Sequence, residues 1–184
     1  GRGNLNRCLQ AALSPPAADK RGIQWGGRLF RTGDRIMQTK NNYNVGWEKA
    51  DGTVGTGMFN GDVGRIVEID PSGELLVVNF DDRIATYTLD MLNEIDLAYA
   101  MTVHKAQGSE YQCVVLAAMP AAPSLMVRGV LYTALTRARE LLIVVGDDAA
   151  IRDMAANDRP QRRHPGPRWR LGHFAGPAGR RRTH

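Results

Sequence analysis

Hydrophobic and polar positions along this chain change texture twice. In LNRCLQAAL (5–13) the apolar residues recur at helical spacing and stop at Pro15-Pro16, which predicts a short helix. A loop containing Gly22, Gly26 and Gly27 follows, and GDRIMQTKNNY (33–43) reads as a strand, Arg35 to Thr39, that ends in a polar turn. From about Val45 to Asn93 the pattern becomes short alternating segments broken by Gly, Asp and Asn. DVGRIVEID, ELLVVNF and IATYTL predict a three-stranded meander, with turn chemistry at Asn60-Gly61 and Pro71-Ser72-Gly73.

The glycines flanking Asp62 in NGDVGRIVEID permit a tight entry into a strongly bent strand. Residues 45–93 are therefore expected to form a small SH3-like barrel inserted in a larger domain; a meander that extends the main sheet is the alternative. From Asp96 the pattern turns α/β. LAYAMTV (97–103), CVVLAAM (113–119) and LLIVVG (141–146) are apolar runs without alternation, and LMVRGVLYTALTRAR (125–139) has helical spacing. Continuous apolar strands separated by helices predict a parallel sheet covered on both faces. Cys113 opens one of these runs and is expected in the core, while Cys8 and Cys113 match no metal-ligand spacing.

Charge changes this picture only at one end. The formal net charge is +5, but Arg159 to His184 holds eight arginines and no acid, which leaves 16 Lys+Arg against 19 Asp+Glu in residues 1–158. The folded part is mildly acidic, so any nucleic-acid contact has to come from local sites. No apolar run approaches the roughly 18 residues a membrane span needs, and no signal peptide is visible, so the expected location is cytoplasmic. The Arg-, Pro- and Gly-rich stretch 158–184 is expected to be a flexible tail.

Two segments carry candidate chemistry. YAMTVHKAQGSEY (99–111) places Thr102, His104, Lys105, Gln107, Gly108 and Glu110 after an apolar run, where open α/β sheets bind ligands. Thr102, His104 and Lys105 suit phosphodiester oxygens, Gly108 allows close backbone approach, and Glu110 could accept from a ribose hydroxyl. An ordinary polar loop with a solvated lysine is the plain alternative. LYTALTRAREL (131–141) places Thr136 and Arg137 late on a helix. A guanidinium there could neutralise a phosphoryl group in transit, or simply favour a helix C-terminus.

TVHKAQGSEY followed by VLYTALTRARELLIVVG resembles motifs V and VI of superfamily-one helicases, in the wording of the RecD-like branch. GNLNRCLQAALSPP, GDRIMQTKNNYN, FNGDVGRI, FDDRIATY and RPQRRHPG are similar to the matching stretches of that family, so the likeness covers about residues 3 to 166. The resemblance implies a second RecA-like domain, formed by 1–44 and 94–157, with the SH3-like barrel 45–93 inserted in it. It implies ATP bound between this domain and a first RecA-like domain, with Arg137 on the γ-phosphate and Gly108 and Glu110 lining the nucleotide side. Thr102, His104 and Lys105 would hold single-stranded DNA, with Gln38 and Asn42 as weaker DNA candidates; the alternative for Asn41-Asn42 is a turn cap. The family's motif IV basic residue is either Arg2 or lost to truncation.

No GxxxxGK[ST] occurs, so no P-loop cradles phosphates. No acidic motif is placed to hold Mg²⁺, and Asp147-Asp148 reads as a helix cap. The chain is thus expected to be the C-terminal part of an ATP-dependent helicase moving 5′ to 3′. It should be inactive as an ATPase alone and bind no cofactor or metal by itself, with ATP and Mg²⁺ shared with an N-terminal motor domain. Single-stranded DNA, that domain and recombination-complex subunits are the expected partners. Competing readings are a binding module without catalysis, the helicase part of a conjugative relaxase, and a degenerate ATPase-like domain.

Overall fold

Trp25-Gly26-Gly27-Arg28 is a two-residue hairpin turn, and both glycines take positive φ (53° and 73°) as the twist of flanking strands demands. It joins β1 (Gly22–Trp25) to β2 (Arg28–Arg31), the first strands of a computed structural model that describes residues 2–158. Of the tail expected over 158–184, all but Asp158 lies outside the described residues, and so does the side chain of Arg2. The chain divides between Glu110 and Tyr111 into two compact units.

The first unit begins with helix α1 (Arg2–Leu13), which extends the expected helix by three residues at its start. β3 (Arg35–Gln38), β4 (Asn42–Lys49), β5 (Val54–Met58), β6 (Val63–Ile69), β7 (Leu75–Phe80), β8 (Arg83–Thr88) and β9 (Ile95–Leu97) form one antiparallel sheet. Its order is β5-β4-β8-β7-β6-β3-β9, so β3 and β9, from segments on either side of 45–93, share a sheet with the strands between them. The meander is β6-β7-β8. Alternation drives it: Leu76, Val78 and Phe80 of β7 and Ala85 and Tyr87 of β8 point into the core beside Phe30, Ile36, Met58 and Ile66.

In β6 the alternation slips. The register shifts between Ile66 and Glu68, Val67 is left exposed, and Ile69 rather than Glu68 returns to the core. A β-bulge at Val67 explains this, because one extra residue resets which side chains face inward and bends the strand. Gly64 in the same strand has no room for a side chain. A Cβ there would lie 2.7 Å from the Phe80 ring, 2.8 Å from the Asn79 carbonyl oxygen and 2.8 Å from Val78. Gly64→Ala should therefore cost about 1–3 kcal/mol by overpacking, read as a lower urea midpoint with an unchanged slope; an unaltered midpoint would contradict the packing.

One sequence expectation needs correction in this unit. Residues 97–103 do not form a strand of a parallel sheet. β9 stops at Leu97 after pairing antiparallel with β3, and Ala98 to Glu110 are turns and irregular chain. α1, predicted by its apolar spacing, turns a polar face inward. Leu5 and Leu13 are exposed, whereas Asn6, Gln10 and Ser14 are buried. Spaced four apart, these three lie on one helix face, so the face turned inward is polar.

In the second unit β10 (Tyr111–Ala118) and β11 (Ala138–Gly146) pair in parallel, joined through α2 (Arg128–Leu135), and α3 (Asp148–Ala156) follows. Parallel neighbours need such a crossover. Asp147 caps α3, its Oδ1 accepting from the Ala149 N–H at 2.8 Å. Asn157 closes the other end of the helix pair by donating to the Met126 carbonyl and accepting from the Arg128 N–H. β10 and β11 are the sole parallel pairing among the described residues, fewer than the sheet expected. The pair is not covered on both faces. Val115, Leu141, Ile143, Val144 and Val145 are exposed, and successive strand residues point to opposite faces. Cys113, expected in the core, is exposed for the same reason.

Candidate functional site

The turn that carries Thr102, His104 and Lys105 is built on two anchors. After β9, the Ala98 N–H donates to the Arg35 carbonyl, which ends the strand pairing. The side chain of Asn6 on α1 then meets Ala100 as another peptide would: its Nδ2 donates to the Ala100 carbonyl at 2.8 Å and its Oδ1 accepts the Ala100 N–H at 2.7 Å. Between these, Tyr99 Oη donates to Asp34 Oδ1 at 2.8 Å. Burial, with the Asp34 hydrogen bond adding to it, pushes the Tyr99 hydroxyl above its ordinary pKa, so it remains a donor at neutral pH.

Asp34 is itself completely buried. Its Oδ2 accepts from the Arg31 N–H at 2.7 Å and from Gln10 Nε2, which also donates to the Leu29 carbonyl. A buried carboxylate is tolerable only with such donors. Asn6, Gln10, Asp34 and Tyr99 were not flagged in the sequence. The signal available was the polar spacing Asn6-Gln10-Ser14 inside a helix whose leucines drew the eye.

Beyond Ala100 the chain makes three overlapping turns. The Thr102 carbonyl accepts from the Lys105 and Ala106 N–H groups, His104 from Gln107, and Ala106 from Ser109. Buried Ala106 pins the turn, Thr102 and His104 are exposed, and Lys105 is half-buried. Gly108 takes φ of 91°, a conformation that favours glycine, and Glu110 is exposed. The structure thus gathers Thr102, His104 and Lys105 on one turn.

Gln38 and Asn42 lie elsewhere. Gln38 pairs with Ile95 at one end of β3, while Tyr99 reaches Asp34 just before the other. A four-residue strand separates the two groups by on the order of 10 Å. Gln38 is completely buried, and its amide is spent internally: Oε1 accepts from Tyr87 Oη at 2.9 Å and Nε2 donates to Glu94 at 3.3 Å. It is not exposed for DNA contact, which corrects that expectation for the side chain. Burial, then the charges of Asp62 and Glu94, raises the Tyr87 hydroxyl far above its usual pKa and keeps this bond in place. Asn42 is half-buried. Its Nδ2 donates to Glu94 at 2.8 Å and its Oδ1 accepts the Asn44 N–H, a turn-capping arrangement. Asn41 likewise accepts the Asn60 N–H.

In the second unit Arg137 follows the C-cap Thr136 of α2. It is half-buried, with Nε donating to the Thr133 carbonyl at 3.1 Å and Nη2 to Thr136 Oγ1 at 3.3 Å. These bonds satisfy the exposed helix end, as a cation there should. Its own carbonyl accepts the Tyr111 N–H at 2.8 Å, so the start of β10 is tied to the residue that ends the helix turn. Among the described residues no three His, Cys, Asp or Glu side chains gather as a metal ion would need.

Two family models match the chain. Residues 5–80 match the SH3 domain of ATP-dependent RecD-like DNA helicases, and residues 97–145 match the C-terminal domain of UvrD-like helicases. The chain is 35% identical over 162 residues to the ATP-dependent RecD2 DNA helicase of Deinococcus radiodurans, a match covering 88% of this chain and 20% of that protein. It is 31% identical over 166 residues to the RecBCD enzyme subunit RecD of Mycobacterium tuberculosis, covering 90% and 26%. The corresponding subunit of Mycolicibacterium smegmatis is 33% identical over 147 residues, covering 80% and 23%. The chain therefore spans about a fifth to a quarter of the length of these relatives. Strands β1 to β7 fall in the first matched region, the turn after β9 and helix α2 in the second, and the chain belongs to the RecD-like helicase family.

Proposed function

We propose that this chain supplies the strand-gripping and γ-phosphate-sensing half of an ATP-dependent DNA helicase that moves 5′ to 3′ on single-stranded DNA. The observation that carries this reading is the turn 102–106, which is anchored at its base and presents Thr102 and His104 to solvent beside Lys105. Hydroxyl and imidazole donors with one ammonium suit the phosphodiester backbone and carry no sequence preference.

The nucleotide, ATP with Mg²⁺, is held by a first RecA-like domain, since no P-loop sequence occurs in this chain. It supplies the free energy for movement. In this reading Arg137 engages γ-phosphate oxygens, and Gly108 and Glu110 line the nucleotide. Engagement of Arg137 favours one domain arrangement and its release the other, so the Thr102–His104 grip advances by a population shift. β10 and β11 are the core of a RecA-like sheet in this reading; their exposed aliphatic side chains support a larger sheet in the working protein. Alone the chain hydrolyses no ATP. The likeness to proteins named as RecBCD subunits makes further subunits expected partners.

The test is strand binding by the complete helicase. Thr102→Val with His104→Ala should weaken affinity for an oligothymidylate by about tenfold or more, with the salt slope little changed because Lys105 remains. Unaltered affinity would remove the grip from this turn and favour a binding module centred on the antiparallel sheet.

A further inference from the structure

From the polar inner face of α1 we infer that Asn6, with Gln10 acting through Asp34 and Tyr99, positions the DNA-gripping turn: α1 is a strut whose side chains set the height and tilt of residues 99–106. The inference rests on the reading that this turn grips the strand.

Helices usually dock through apolar stripes, and α1 has one available in Leu5, Leu9 and Leu13. Instead Asn6, Gln10 and Ser14 are the buried positions. A buried amide side chain is costly unless every group is satisfied. Here the satisfaction is specific. Asn6 supplies both donor and acceptor to one residue, Ala100, two positions before Thr102. A two-bond pairing fixes orientation as well as distance, which a hydrophobic contact does not. The second arm reaches the adjacent residue: Gln10 to Asp34, Asp34 to Tyr99. Ser14 completes the face, its hydroxyl accepting from Lys20 Nζ at 3.1 Å and its carbonyl from Arg31 Nη1 at 3.1 Å. Two consecutive residues, Tyr99 and Ala100, are thereby held from one helix immediately before the turn.

The alternative is that these bonds only stabilise the unit. The two roles differ in what moves. A purely stabilising Asn6 lowers the thermal midpoint and leaves strand affinity intact below it. A positioning Asn6 acts on DNA only through the turn, so its effect must vanish once the turn's own contact is gone.

The experiment uses the complete helicase, an oligothymidylate as probe, and the variants Asn6→Ala, Tyr99→Phe, the grip-less Thr102→Val/His104→Ala pair and that pair combined with Asn6→Ala, each measured well below its thermal midpoint. Expected for Asn6→Ala are a strand concentration for half-maximal ATPase stimulation about tenfold higher and a maximal turnover within about twofold of the parent. Tyr99→Phe, which removes one hydroxyl and keeps the ring, should shift the same midpoint about threefold, and it decides the matter if Asn6→Ala does not fold. The combined variant should bind no worse than the grip-less pair. Parent-like strand affinity in both Asn6→Ala and Tyr99→Phe, with the grip-less pair impaired, would overturn the strut while leaving the grip intact. Additive losses in the combined variant would overturn it as well. Unchanged affinity in the grip-less pair itself would instead remove the grip on which the inference rests.

Discussion

Replacing Arg137 by alanine in the complete helicase should lower DNA-stimulated ATP turnover by about a thousandfold, the scale on which arginine fingers act. Strand affinity should stay within about twofold, because strand binding is assigned to Thr102 and His104. The size of the effect follows from where the charge is needed. In the resting structure the guanidinium is half-buried and bonded to the Thr133 carbonyl and the Thr136 hydroxyl. A phosphoryl group offers the same guanidinium an opposite charge and a bidentate geometry, which a carbonyl and a hydroxyl do not. Lysine at this position keeps the charge but not the fork, and should recover only a minor part of the rate. If Arg137 merely closes the end of α2, the alanine variant will instead lose a little stability, about 0.3–1 kcal/mol, and keep its turnover.

The second large effect is on stability. Asp34→Ala removes a fully buried carboxylate that accepts from Arg31 N–H, Gln10 Nε2 and Tyr99 Oη. The donors left behind cost about 1–3 kcal/mol each when no water reaches them, so a total on the order of 3–5 kcal/mol is expected. For a chain of this size that corresponds to a fall of roughly 10 °C in the melting temperature of the unit that contains it. Asp34→Asn keeps the volume and one acceptor oxygen and should fall between. Differential scanning calorimetry reads both; a melting temperature within about 2 °C of the parent for Asp34→Ala would mean that the carboxylate is not the hub described.

Period and turn chemistry made the antiparallel part legible. Strands β7 and β8 were readable because their inward positions 76, 78, 80, 85 and 87 are apolar and Pro71-Ser72-Gly73 marks the turn into β7. The bulge at Val67 was not, because a one-residue slip leaves no trace in composition. The segment 97–103 misled for a physical reason. An unbroken apolar run does not state which neighbour will pair with it, and here β3 offered an antiparallel edge to Ile95–Leu97 before the chain was captured by Asn6. The buried Gln38 shows the same limit at a single side chain: its position beside a polar turn suggested exposure, but Tyr87 and Glu94 hold it inside. For the candidate site, the turn with Thr102, His104 and Lys105 was visible from residue types. Its support was not, because Asn6 and Asp34 are more than 60 residues upstream and contact it only through the fold.

Equilibrium nucleotide titration shows whether Arg137, as proposed, serves the terminal phosphate of a nucleotide bound by another domain. The complete helicase and its Arg137→Ala variant are each titrated with a non-hydrolysable ATP analogue and with ADP. The variant is expected to lose about tenfold or more in affinity for the triphosphate analogue and to bind ADP as the parent does. Equal affinities of parent and variant for the triphosphate, or a loss of the same size for ADP, would contradict it.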